Sequence, residues 1–276
     1  KYYPILSLSL DRAEREEELS NSKNTKWKEY AGQFDITLPY FHQYYLYSGQ
    51  HLLSFSKGLI VTTDNDFSSS TKLSNEHYQL EGISFQSSIN KLRTTQNILP
   101  PLGYLFNSSY YNLSVDERDA NNFLWQFGLD TYLPSFFTNH TIGINFSGER
   151  RSKDEGQYRL QKNYISLLEY QFSRGYEYSF TPNFNKFELE YTMPLAYPSR
   201  GLGRWIYLNR VYATGFVDIT DINSQEDKRT LSSYGLELYF DTNTLRKLPL
   251  NYGLRFINKV GQDELEAEIF LGTVLQ

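Results

Sequence analysis

The sequence predicts an all-β fold, a closed antiparallel transmembrane β-barrel of about 12 strands, and three observations predict it. Apolar and polar residues alternate with period two along most of the chain, and helical spacing is nearly absent. Short connections alternate with longer polar ones, as in barrels that span an outer membrane. Aromatics, 24 Tyr and 19 Phe in 276 residues, gather near the ends of the alternating runs, where a membrane interface holds them. A soluble sandwich also alternates, but its strands average about 5–6 residues. A membrane strand needs about 9–11, and several runs here reach that length.

In chain order, the first run lies near 3–11. The second, 27–38, sets Tyr30, Phe34, Ile36 and Leu38 against Gln33, Asp35 and Thr37. The third, 48–62, carries Lys57 on an otherwise apolar face, and the fourth, 76–90, slips phase between Leu80 and Ile83, a slip that a bulge would absorb. The fifth spans 100–113. The sixth, 122–133, alternates Phe123, Trp125, Phe127 and Leu129 with Gln126, Gly128 and Asp130, and the seventh, 139–150, alternates Ile142, Ile144 and Phe146 with Gly143, Asn145 and Ser147. The eighth, 184–195, interleaves Phe187, Leu189, Tyr191 and Met193 with Glu188, Glu190 and Thr192. The ninth spans 204–219. The last three, 231–242, 248–259 and 263–275, carry Leu236, Leu254 and Ile269 on their apolar faces.

An even count puts both termini on one side, the periplasmic side of the short turns near 39–47, 91–99, 134–139, 196–204 and 244–249. Connections 11–26, 62–75, 114–122, 151–183 and 221–230 are expected outside the cell. Residues 164–172 alternate weakly and are assigned to the long connection 151–183, a candidate lumenal loop within a single domain of residues 1–276. The chain starts at Lys1 and its one Met is Met193, which suggests a mature protein or the C-terminal part of a longer one.

Composition narrows the function. With no Cys, a disulfide scaffold, a thiolate metal site and a cysteine nucleophile are excluded. No stretch of 18 apolar residues exists, so no helix crosses a membrane. A net charge of −5 gives no reason to expect nucleic acid. His42, His51, His77 and His140 lie in no catalytic or metal-binding motif, so the expectation is a non-enzymatic chain with no catalytic residue, no metal and no cofactor. The only material near a dyad is His77 beside Ser74 or Glu76. Sequons such as Asn112-Leu113-Ser114 are read as chance, and the acidic stretch 11–18 as a solvated loop.

Residues 151–183 contain Ser173-Arg174-Gly175-Tyr176; the next run ends Glu190-Tyr191-Thr192-Met193-Pro194-Leu195, and the one after carries Phe216-Val217-Asp218-Ile219-Thr220. This order resembles the last five strands of the barrel-assembly and two-partner-secretion transporter superfamily, over about 100 of the 276 residues. In that family an Arg-Gly-aromatic tip folds back into the lumen. The resemblance implies that Arg174, with Gly175 and Tyr176, docks on Phe216 and Asp218. Departures are Thr220 in place of Gly, a smaller strand count and no periplasmic repeats. Five further segments, Gln96 to Gly103, Tyr132 to His140, Met193 to Pro198, Leu208 to Arg210 and Pro249 to Gly253, are similar to turn motifs of the barrels that follow a TolB-like β-propeller in surface proteins of Bacteroidota. That likeness implies a fold and an outer-membrane address.

If apolar residues face lipid, the inward positions of the last five strands include Glu188, Glu190, Arg210, Asp218, Glu237, Asp241, Arg255, Glu266 and Glu268. Carboxylates outnumber arginines, so the wall needs counter-charge, water or a moving cation. Arg174 supplies the first, and its guanidinium suits a carboxylate and a stacking ring, Phe216 or Tyr212. The expected protein is a plugged outer-membrane barrel that anchors or serves a surface, export or assembly complex. Its partners would be membrane lipid and lipopolysaccharide, together with a periplasmic or surface protein. An open pore and an outer-membrane hydrolase are the competing readings.

Overall fold

The structure, a computed structural model, describes residues 3–19, 23–66, 76–115, 118–151, 172–176, 183–203, 205–223, 228–245, 248–262 and 265–273. Among them there is no helix, and 13 strands form one antiparallel sheet. They are β1 (Ile5–Leu19), β2 (Lys23–Tyr44), β3 (Tyr47–Asp66), β4 (Glu76–Lys91), β5 (Gly103–Val115), β6 (Arg118–Pro134), β7 (Thr141–Arg151), β8 (Asn183–Ala196), β9 (Arg200–Leu202), β10 (Ile206–Asn223), β11 (Lys228–Thr244), β12 (Leu248–Lys259) and β13 (Leu265–Thr273). Each long strand pairs with its neighbours in sequence, from β1 to β13; β9, three residues long, lies in the β8–β10 connection and pairs only with β10. Twelve long strands therefore follow the alternating runs, and β9 is the addition.

Strand ends depart from the sequence expectation. Residues 11–19 and 23–26, expected in a loop, continue β1 and β2, with Asp11 opposite Ala31 and Leu19 opposite Lys23. Residues 221–223 and 228–230 likewise continue β10 and β11. Strand β3 runs to Asp66, and β5 and β6 extend to Val115 and from Arg118. At the other end the expected turn 39–47 shrinks to two residues, Tyr45 and Leu46, with Tyr45 at φ 52°. Ladder hydrogen bonds come from the backbone, so pairing continues where the apolar alternation stops. Residues 152–171 and 177–182, including most of the weakly alternating stretch 164–172, lie outside the described residues.

The two faces of the sheet are dressed in the reverse of a soluble protein's. One face exposes large apolar side chains: Leu8 on β1, Phe34 on β2, Phe55 on β3, Leu189 on β8, Leu236 on β11 and Ile269, 85% exposed, on β13. The other buries polar and charged groups, among them Ser56, Gln126, Ser147, Lys186, Asp218, Glu237 and Arg255. Lys57 stands on the apolar face and pairs with Glu81 at 3.1 Å, both well exposed. The phase slip in β4 is not a bulge, because its pairings to β3 and β5 run without a shift. Instead the polar face turns apolar towards the β3–β4 connection. Leu80 packs there with Ile60, Tyr78, Tyr111, Leu113 and Leu124, while Ile83 stays on the opposite, exposed face.

Gly235 shows how tightly the polar face is filled. A Cβ there would lie 2.0 Å from the backbone oxygen of Phe256 and 2.7 Å from the Phe216 ring. At Gly215 a Cβ would meet nothing within 4 Å. Overpacking typically costs about 1–3 kcal/mol. Gly235→Ala is therefore expected to destabilise the folded protein by that amount in urea denaturation from detergent or lipid, and Gly215→Ala to be tolerated.

Candidate functional site

Four strands and one connection build the site. Alternation on β8 places Lys186, Glu188 and Glu190 on the polar face, and the same parity places Phe216, Asp218 and Thr220 on β10 and Glu237 on β11. Arg255 on β12 lies directly opposite Glu237. Residues 172–176, from the connection between β7 and β8, pack onto this surface.

Arg174 lies among all four carboxylates. Its Nη2 donates to Glu188 Oε1 at 3.0 Å and to Glu190 Oε1. Nε stands 3.4 Å from Asp218 Oδ2 and Nη1 3.6 Å from Glu237 Oε1. These last two are charge contacts without hydrogen-bond alignment, since neither nitrogen has a hydrogen-bond partner among the described residues. Asp218, 0% exposed, also accepts from the Arg174 backbone N at 3.0 Å. The guanidinium carbon lies 4.1 Å from the Phe216 ring centroid, a cation–π contact. Tyr212 stacks on Tyr239, with ring centroids 4.6 Å apart. Burial works against the charge on Arg174, and Glu190, Glu237, Asp218 and Glu188 outweigh it. Its pKa is raised above that of a free guanidinium, so Arg174 is a fixed cation.

Neighbouring residues set the tip. Ser173 N and Ser173 Oγ both lie 2.9 Å from Thr220 Oγ1, and Ser173 Oγ donates to Leu231 O at 2.9 Å. Thr220 is thus one of the residues that hold the segment. Gly175 adopts φ 86°, a left-handed conformation that suits glycine. Tyr176 Oη donates to Ser232 O at 3.3 Å, and Lys259 Nζ lies over the Tyr176 ring. Phe172 packs edge-on against Phe184 beside Ile222 and Leu231.

Further ion pairs surround the segment: Lys186 to Glu188 at 3.0 Å, Arg255 to Glu237 at 2.5 Å and to Glu268 at 3.3 Å, and Lys259 to Glu266. Lys186 and Lys259 were not singled out from sequence, although Lys186 shares the parity of Glu188. Arg210 and Asp241 bond to each other at 2.6 Å, away from Arg174. Arg174 touches β8, and its neighbour Gly175 lies against Lys259 of β12 and Glu266 of β13. In a flat sheet β8 and β13 would be about 19 Å apart, four steps of about 4.8 Å. Residues 174 and 175 thus bridge strands four steps apart across the polar face.

Of the histidines, His42 and His51 are adjacent and His140 lies apart from them. His51 Nδ1 and Ser87 Oγ are 2.9 Å apart, and Ser87 is buried. His42 stacks on His51 at 5.2 Å, and His140 Nδ1 lies 2.7 Å from Tyr191 Oη. Ser74 and the side chain of Glu76, named with His77, lie outside what is described. No group of His, Asp and Glu able to hold a metal occurs among the described residues.

No protein-family model matches the chain, and no curated protein matches its sequence.

Removing one partner of a buried charge cluster leaves the others uncompensated, at about 3–5 kcal/mol. Arg174→Ala is expected to lose stability of that order in chemical denaturation. Arg174→Lys should recover only part, because an ammonium cannot span the carboxylates as a guanidinium does. A loss below about 1 kcal/mol, the size of an exposed pair, would remove Arg174 from any structural role.

Proposed function

We propose that the chain is a closed outer-membrane β-barrel, plugged from within by the connection that carries Arg174. It is non-enzymatic and acts as a membrane anchor or as a component of a surface, export or assembly complex. Its surroundings are outer-membrane lipid and lipopolysaccharide, with a periplasmic or surface protein as partner. The inverted dressing of the sheet carries this reading. A row of exposed Leu, Ile and Phe opposite a buried ionic face is costly in water and favourable when the apolar face meets hydrocarbon. The long strands, nine to 22 residues apart from β9, agree with a membrane crossing. The bridging of β8 to β12 and β13 by residues 174 and 175 supports closure, as does the resemblance to barrel-assembly transporters and to the Bacteroidota propeller-linked barrels. Arg174, Gly175, Tyr176, Phe216, Asp218, Glu237, Glu188 and Glu190 form the dock of the plug. An open pore is the weaker reading, because that segment lies on the polar surface an ion would follow.

Two experiments test this. A cation at the bilayer midplane of a barrel's outer face costs about 2–4 kcal/mol, whereas an exposed substitution on a soluble protein stays within about ±0.5 kcal/mol. Leu236→Arg should show the larger loss when the protein folds into lipid vesicles; indifference there removes the membrane reading. For orientation, a chain without native Cys gives clean single-cysteine labelling. Asn223→Cys, exposed at the end of β10, should label from outside intact cells. Phe136→Cys, 101% exposed in the β6–β7 turn, should label only after permeabilisation. The opposite result inverts the barrel.

A further inference from the structure

The connection 92–102 between β4 and β5 does not simply close its own hairpin. Its root is paired, Leu92 N to Leu46 O at 2.7 Å and Lys91 N to Leu102 O at 2.8 Å. Its body is braced internally. Thr94 N and Thr94 Oγ1 donate to Asn97 Oδ1 at 3.0 and 2.8 Å, and Arg93 Nη1 donates to Ile98 O at 3.2 Å. Ile98 is buried, unusual for the tip of a connection.

The tip bonds outward to parts of the chain far from it. Asn97 Nδ2 donates to Asn139 Oδ1 and Asn139 Nδ2 to Gln96 Oε1, both at 3.2 Å, which joins it to the β6–β7 turn. Tyr197 Oη, after β8, donates to Gln96 O at 2.7 Å. Arg210 Nη1, on β10, donates to Asn97 O at 3.2 Å, while Arg210 Nε holds Asp241 Oδ2 of β11 at 2.6 Å. Strands β6, β7 and β8 stand between β5 and β10 in the sheet. A connection bonded to every turn along that path lies across the end of the sheet. The Arg174 segment sits at the other end, against Thr220, Leu231 and Lys259 near the far ends of β10, β11 and β12.

We propose that residues 92–102 are a strap that closes the short-turn mouth of the barrel, a second closure independent of the Arg174 plug. The proposal rests on the barrel reading above. Two of its four outward bonds end on backbone oxygens of the strap, and their donors, Tyr197 and Arg210, lie beyond β8; the other two join side chains to Asn139. Tyr197→Phe with Arg210→Met therefore removes the two fastenings that reach beyond β8 without altering the strap's own sequence, and leaves the pair to Asn139.

Two readouts on the full chain in lipid test it. The first is the rate at which a maleimide labels Ile98→Cys, with and without the unfastening pair. Loss of these hydrogen bonds is expected to speed labelling about tenfold; an unchanged rate overturns the strap. The second is planar-bilayer current in four proteins: wild type, deletion of 151–183, the unfastened pair, and the two combined. Two closures in series predict little current in the first three and a several-fold rise only in the fourth. A deletion that alone conducts as well as the combination overturns the strap and leaves the plug standing. An unfastened pair that alone conducts as well as the combination removes the plug and leaves the strap. Faster labelling with no current in any protein also overturns the proposal, since a strap that opens onto no path closes nothing.

Discussion

Four carboxylates from three neighbouring strands, Glu188, Glu190, Asp218 and Glu237, face one buried surface, and Arg174 is the cation they share. Carboxylates cannot be crowded out of water without compensation. Lys186 and Arg255 engage Glu188 and Glu237 from the wall itself. Asp218 and Glu190 accept from the connection, at the backbone N and the guanidinium of Arg174. The wall and the connection that covers it are thus electrostatically complete only together. Phe216 under the guanidinium and the glycine at 235, where a Cβ would strike that ring, extend the fit into the strands.

The polar face divides by chemistry along the sheet. Over β3 to β7 its buried polar groups are mainly hydroxyls and amides, such as Ser56, Ser109, Gln126 and Ser147, together with Glu149. Over β8 to β12 they include the charged Lys186, Asp218, Glu237, Asp241 and Arg255 beside hydroxyls, and residues 172–176 lie there. The connection follows the charge, as its own cation requires. The apolar cluster around Leu80 and Tyr111 fills the polar face of β3 to β6 at one end.

Period-two alternation made the twelve long strands legible, because a strand with one apolar face leaves no other periodicity. Strand ends were not legible. The acidic residues 11–18 read as a loop, yet they continue the ladder, since backbone pairing is indifferent to side-chain polarity once no apolar face has to be covered. Leu80 read as a slip because an apolar residue on the polar face breaks the alternation without shifting the register. At the site, Arg174 next to Gly175 in a long connection and carboxylates at alternate positions on β8 were visible signals. Thr220 was visible only as a departure from a pattern, and its bonds to Ser173 need the structure. Gln96 and Asn97 meet Tyr197 and Arg210 through backbone oxygens, which every residue carries, so no side-chain signature could have pointed to them.

The dependence of the Arg174 dock on three strands has a consequence for how the chain reaches its final pairing. A strand that slips by one residue turns every side chain to the opposite face. Such a slip in β8, β10 or β11 would carry its carboxylate away from Arg174 and set it among the exposed Leu and Ile. The segment that must be compensated precedes all three strands in the chain, so it cannot settle until each has paired in the correct register. Docking of a single arginine thus proofreads the alignment of the wall.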